Sequence, residues 1–376
     1  MRLFERALPA LLATALALGC ADKAAPGLAE CQQLRAAKKA EEALGACARA
    51  VAADSNSKSG QTAAVLVSEL KKDTAKAKAV QDAQQAFKVW DGAGITKDQP
   101  AARKLFETAC GQGSPIGCAG LGISLLDGVN GTGMDYAGAT SHLTAACNAK
   151  VPRACAALGA MNAAGSGMPK DLTRAGVLFK QACDGGEPRG CTRLGVMYQA
   201  GAGGLPKDET QAFKLFQGAC NANLPLACWA LSNAYYAGLG TPKSFELAAK
   251  FGKAACDAGD GNGCLRFASA LVSGNGAEKD PKAAFTTALK SCELGSSQGC
   301  VLLASFYGAG TGTAADNAKA AEAYERACNL DSADGCYALA TFTRRGWGRK
   351  ANPFAADTLL KKSCDLGNAT ACKELH

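Results

Sequence analysis

The chain has 376 residues, 19 cysteines, two histidines and a formal charge of +8. That cysteine load implies an oxidising compartment rather than a reducing cytosol. The mild basic excess, with no basic run or aromatic-laced basic stripe, calls for no nucleic-acid partner. Two histidines and no Cys-x2-Cys spacing give no zinc-site pattern, so no metal or cofactor is expected.

Residues 1–20, MRLFERALPALLATALALGC, carry Arg2 and Arg6 ahead of an apolar stretch from Ala7 to Leu18. The stretch is too short to span a bilayer comfortably and reads as a signal peptide. Its end, Ala17-Leu18-Gly19-Cys20, resembles a lipobox, with Ala17 where that pattern prefers leucine. The resemblance implies that Cys20 carries a lipid and becomes the mature N-terminus. Counting agrees, because the other 18 cysteines fall into pairs and Cys20 is left over. Ala21 in the next position points, by the enterobacterial sorting rule, to the outer membrane.

Residues 21–27, ADKAAPG, read as a tether, and residues 28–96 as an N-terminal helical cap. Within the cap, 28–53 is tetratricopeptide-like, with Cys31 and Cys47 facing each other across a hairpin. SNSKSG is a loop, and residues 61–90, rich in Ala, Lys and Gln, are one or two helices. The run AQQAFKVWDGAG resembles the first helix of the repeat array that begins at residue 97, without its cysteine.

From residue 97 to 376 one pattern repeats eight times, two cysteines eight residues apart: Cys110/Cys118, Cys147/Cys155, Cys183/Cys191, Cys220/Cys228, Cys256/Cys264, Cys292/Cys300, Cys328/Cys336 and Cys364/Cys372. Successive first cysteines are 36 or 37 residues apart, the signature of a repeat array. On one continuous helix such a pair would lie about 12 Å apart, whereas a disulfide tolerates Cα atoms at most about 7 Å apart. The chain between paired cysteines must therefore fold back, and GQGSPIG, DGGEPRG and DAGDGNG are made of turn-forming residues. Each pair reads as a staple across the loop between two antiparallel helices. An alanine stands eight residues before every first cysteine, from Ala102 to Ala356, and Ala or Ser directly before it. Three residues after each second cysteine is Leu or Phe, and the next residue is small in seven of the eight repeats. Such spacing forms a seam where helices approach closely. Glycines as in Gly238-Leu239-Gly240 end one helix, and a Lys-Asp or similar pair opens the next. The array ends four residues past Cys372, so its last helix is truncated.

The pattern A-x2-LF-x2-AC-x7-C-x2-LG-x2-Y-x2-G-x-G resembles the Sel-one-like repeat, a relative of the tetratricopeptide repeat, and the cysteine pairs match its bacterial, cysteine-rich, secreted branch. The resemblance implies an all-α fold: a right-handed, disulfide-stapled solenoid of α-hairpins with a concave face. The helix opening with each second cysteine would line that face, through the residues one, five, eight and nine positions after the cysteine. Those positions select Thr192, Gln199, Trp229, Asn233, Tyr236, Tyr337, Thr341, Arg344 and Arg345 as partner-binding residues. The earlier repeats offer Ala119, Ile123, Ala156 and Ala160, so variety concentrates in the C-terminal half. Aromatic, amide and arginine groups together suit peptide recognition.

Some cysteine-rich relatives carry β-lactamase or penicillin-binding names, which makes a hydrolase or peptidoglycan binder the alternative. Ser55-Asn56-Ser57-Lys58 and Ser68-Glu69-Leu70-Lys71 match the Ser-x-x-Lys element of such enzymes. Both lie outside the array, and no separate Lys-Thr-Gly strand motif accompanies them. Gly-x-Gly recurs with the repeat and no strand precedes it, so it is a helix terminator and no dinucleotide fingerprint. His142 stands where other repeats hold Leu178 and Leu215 and reads as a partly packed surface side chain. The expectation is a monomeric, exported protein of the cell envelope, touching a membrane only through its N-terminal lipid and holding a protein or peptide in its groove.

Overall fold

The computed structural model describes residues 22–91, 96–128 and 133–375; Cys20 with its signal-like segment, and His376, lie outside them. Among the described residues there are nineteen helices. The chain divides into two compact units, the first ending at Ala146 and the second starting at Cys147.

In the first unit α1 (Ala25–Ala36), α2 (Ala40–Ala53), α4 (Gln99–Gly111) and α5 (Pro115–Leu126) all pack on one long helix, α3 (Lys58–Asp91). The segment 61–90 is thus a single helix, part of a run of 34 residues. Its first half buries Ala63 and Leu70 against α1 and α2, around Cys31–Cys47. Its second half buries Ala79, Ala83, Ala86 and Trp90 against α4 and α5, with Phe87 and Phe106 rings 4.6 Å apart. This sharing explains why the packing boundary does not fall at residue 97: the first stapled hairpin shares a core with the cap. The tether is also shorter than ADKAAPG, because Ala24 is buried and α1 starts at Ala25. Helix α6 (Tyr136–Asn148) follows α5.

The second unit alternates two kinds of helix. First helices, opening around the second cysteine, are α7 (Pro152–Ala164), α9 (Pro188–Ala200), α11 (Pro225–Ala237), α13 (Gly261–Ser273), α15 (Ser297–Ala309), α17 (Ala333–Arg345) and the short α19 (Ala369–Glu374). Second helices, ending around the first cysteine, are α8 (Leu172–Asp184), α10 (Glu209–Asn221), α12 (Phe245–Asp257), α14 (Pro281–Glu293), α16 (Asn317–Asn329) and α18 (Pro353–Asp365). Asp171, Asp208, Asp280 and Asp316 cap second helices with their carboxylates, as the Lys-Asp pairs lead one to expect.

The start of the first helices corrects one expectation. They do not open with the second cysteine but three residues before it, as Pro152 stands ahead of Cys155 and Pro188 ahead of Cys191. Proline's fixed φ and missing N–H suit it to that opening position, so the helix begins as soon as the turn is complete. Cys155 therefore sits inside the first turn of α7 and is a core residue, 3% exposed, with its partner Cys147 at 8%. Cys292 and Cys300 are buried in the same way, at 1% and 0%.

First helices of successive repeats, α7 to α17, touch one another along the stack, whereas second helices are linked mainly through them. A row packed more tightly lies on the inside of a curve, so the first helices form the concave side of a right-handed solenoid.

All nine expected disulfides form, and the eight repeat staples have Cα atoms 4.3–4.8 Å apart. Their geometry demands small neighbours. Gly190, Gly263 and Gly335, each before a second cysteine, lie against Ala182, Ala255 and Ala327, each before the paired first cysteine, so closely that an added Cβ would collide. The third residue after every first cysteine has positive φ: Gly113, Lys150, Gly186, Asn223, Gly259, Gly295, Asp331 and Gly367. Glycine takes that conformation freely and Asn or Asp tolerates it, but Lys150 carries the full Cβ penalty at φ 61°.

Lys150→Gly is therefore expected to stabilise the second unit by about 0.5–1 kcal/mol, and Gly186→Lys to destabilise it by a similar amount, in chemical denaturation. Because solenoid contacts are nearest-neighbour, the double variant Cys256→Ser, Cys264→Ser should lose amide protection in α12 and α13. In hydrogen exchange α3 should remain as protected as in the parent protein; uniform loss along the chain would contradict the repeat-by-repeat picture.

Candidate functional site

The side chains that give the concave side its chemistry lie on α11, α13 and α17. Trp229 is half-buried and packs into the core around Leu231 with Tyr198 and Phe251, so only part of its ring is presented. Gln199 is half-buried and Tyr236 is 42% exposed. Thr192 is a correction: it is 1% exposed, its hydroxyl donates to the Pro188 carbonyl at 2.8 Å, and it cannot contact a ligand. The phase used to pick groove positions turns that residue into the helix seam.

Asn233 and Tyr236 are brought together by a residue that the groove positions did not include, Arg266 on α13. Its Nη2 donates to Asn233 Oδ1 at 2.9 Å, and its guanidinium carbon lies 3.8 Å from the centroid of the Tyr236 ring. Phe245 meets Tyr236 edge-on with centroids 5.4 Å apart, and the Lys243 ammonium lies 4.6 Å from the Phe245 centroid. Tyr236, Phe245, Arg266, Ser269, Ser273 and Asn275 line a cavity of about 200 Å³. None of the cavity's lining residues is acidic, and among the described residues no carboxylate forms an ion pair with Arg266. Arg266 has room because Gly252 lies beneath its stem, where α8, α10, α16 and α18 place Phe179, Phe216, Tyr324 and Leu360 and only α14, with Ala288, is comparably small. The signal was present in the sequence: two residues after the second cysteine most repeats have Gly, Ala or Leu, but 193 and 266 are arginines.

The C-terminal group is built differently. Tyr337 donates its hydroxyl to Glu374 at 2.6 Å, and this bond holds the phenol above its ordinary pKa. Arg344 pairs with Asp357 at 3.0 Å and with Glu374 at 3.3 Å, so its charge is already compensated within the chain. Arg344, selected above as a partner-binding residue, is thus committed to carboxylates of its own chain. Arg345 stacks 4.7 Å from the centroid of Trp347, and Thr341 donates to the Tyr337 carbonyl at 3.2 Å. Arg345 and Trp347 are exposed.

Ser55 and Ser68 both stand at the surface, in the turn before α3 and along it, without the enclosure that a hydrolytic site needs. In the first unit Cys110, Cys118 and His142 bring three ligand-type atoms within 4.8 Å of one another, both sulfurs being joined in the disulfide. Spacing alone did not show that grouping.

The fold and this face define a disulfide-stapled α-hairpin solenoid, a scaffold architecture suited to protein–protein interaction. The Sel1 repeat matches residues 89–114, 152–187, 188–224, 225–260, 297–332 and 333–368, and the chain belongs to the Sel1 repeat family. Among solved structures it is similar to c5321, a protective antigen present in uropathogenic Escherichia coli strains displaying an SLR fold. The identity is 26% and the TM-score 0.54, over 81% of this chain and 66% of that one, just under two thirds of its length. A Sel1 repeat protein from Oxalobacter formigenes has 23% identity and a TM-score of 0.57, over 65% of this chain and 96% of that one. No curated protein matches the chain. The disulfides place it in an oxidising compartment, and among the described residues no helix is long and apolar enough to cross a membrane.

A cation stacked on an exposed ring contributes about 0.5–1 kcal/mol. A double-mutant cycle of Tyr236→Ala and Arg266→Ala should therefore show a coupling of about that size in unfolding free energy.

Proposed function

We propose that the chain is an exported envelope protein, anchored by a lipid on Cys20, that holds a protein or peptide partner on the concave side of its second unit. The Arg266 pocket takes an acidic side chain or a terminal carboxylate of that partner, and Trp229, Tyr236 and Gln199 flank the bound segment. The observation that carries this reading is the guanidinium of Arg266, without an acidic partner and fixed by Asn233 and Tyr236 over a cavity with no acidic lining. A planar fork held in one orientation is suited to carboxylates, and little ordering entropy remains to be lost on binding. Arg345 and Trp347 extend the same chemistry towards the C-terminal end.

The test uses the full-length oxidised protein carrying a photo-crosslinking residue at Gln199 or Ser273 on the concave side, or at Lys250 on a second helix, exposed to envelope extract. A discrete polypeptide should be captured from the first two positions and lost when Arg266→Glu is added. Capture from Lys250 alone would move the site to the convex side. Mass analysis of the mature N-terminal peptide should find lipid on Cys20; a mature terminus elsewhere would remove the anchor and leave the array as it is.

A further inference from the structure

The repeats also differ in what shields their disulfides. In several repeats the side chain five residues before the first cysteine is a large apolar one that packs in the same cluster as the staple of the preceding repeat. Leu215 and Cys183 pack against one cluster, Phe251 packs against the cluster holding Cys220 and Cys228, and Leu359 against the cluster holding Cys328 and Cys336. These side chains place hydrocarbon beside the staples, while Thr287 and Ala323 hold the same position in two other repeats. In the first array repeat the equivalent residue is His142, whose Nδ1 lies 3.7 Å from Cys110 Sγ. Cys110, Cys118 and His142 are all half-buried, whereas most other staple cysteines, such as Cys264, Cys300 and Cys336, are fully buried.

We propose that Cys110–Cys118 is a thiol–disulfide exchange site, with His142 as the group that assists departure of the Cys110 sulfur. Its co-reactant is a dithiol, small or protein-borne. One thiolate of the dithiol attacks Cys118 Sγ, forming a mixed disulfide and breaking the Cys118–Cys110 bond. The electron pair of that bond leaves on Cys110 Sγ, where the imidazole supplies a hydrogen bond and then the proton. The second thiolate of the dithiol attacks its own sulfur in the mixed disulfide and expels Cys118, which takes up a proton. In sum the dithiol is oxidised by two electrons and the staple is reduced to two thiols; run in reverse, the staple re-forms. Exchange is faster when the leaving sulfur is stabilised as thiolate and when it can be reached, and this staple meets both conditions. Since α4 and α5 pack on α3, opening this link loosens the hairpin that joins the array to the N-terminal helices.

The protein contains its own control, because Cys183–Cys191 is also half-buried but has Leu215 in place of the histidine. The oxidised full-length protein is treated with a limiting amount of dithiothreitol at native pH. Free thiols are alkylated at timed intervals, and the two staples are quantified by peptide mass mapping. Cys110–Cys118 is expected to open at least about threefold faster than Cys183–Cys191. His142→Leu, which installs the residue of the sister repeats, should remove the difference while helicity and the other disulfides stay intact. Equal rates in the parent protein overturn the proposal, and so does a difference that survives His142→Leu.

Discussion

Everything in the array depends on how close two helices come at a staple. A disulfide across an eight-residue return holds Cα atoms under 5 Å apart, so the residues just before the two cysteines are pressed together. Only Gly, Ala or Ser fits there, as Gly263 against Ala255 and Gly299 against Ser291 show. In the chain-entropy view a loop this small contributes about 2–3 kcal/mol per staple. That contribution matters in a chain with 44 glycines and only 6% aromatic residues, where each hairpin buries mostly alanine.

Away from the staple the same closeness is handled by complementary volumes. Four residues after the second cysteine Gly159 and Gly195 receive the rings of Phe179 and Phe216, which stand four residues before the next first cysteine. In the following repeat the sizes change: Ser232 faces Gly252 and its hydroxyl donates to the Ala248 carbonyl at 2.6 Å. Further on, Ala340 packs with Leu360. The seam thus keeps total volume more than residue identity, as close-packed interiors require.

This is why so much of the fold was legible. Period, turn composition and the alanine eight residues before each cysteine all report local geometry that every repeat must satisfy, so hairpins, staples and Gly-x-Gly terminators followed from spacing. Thr192 shows where that reasoning stops. A helical position estimated to within one residue can turn from groove to seam, because about 100° of rotation separates neighbours. Arg344 shows a second limit: Asp357 and Glu374, which neutralise it, are 13 and 30 residues away and belong to no local pattern. The packing boundary after Ala146 was hidden for the same reason, since it depends on both halves of α3 and not on the repeat itself.

The chemistry lies where the repeat departs from its own rule. At position 252 the large side chain that most sister helices place in the seam is missing, and the vacated volume admits the stem of Arg266, whose head then stacks on Tyr236. At position 142 the large apolar side chain that several sister repeats carry is missing, and an imidazole lies beside sulfur instead. In both cases one substitution in a fixed frame converts a packing position into a polar one without moving the backbone. A stapled solenoid can accept such changes singly, because each hairpin's geometry is held by its own disulfide and the disturbance stays with its neighbours. The rigidity of the staples is therefore what leaves individual repeats free to diverge in function.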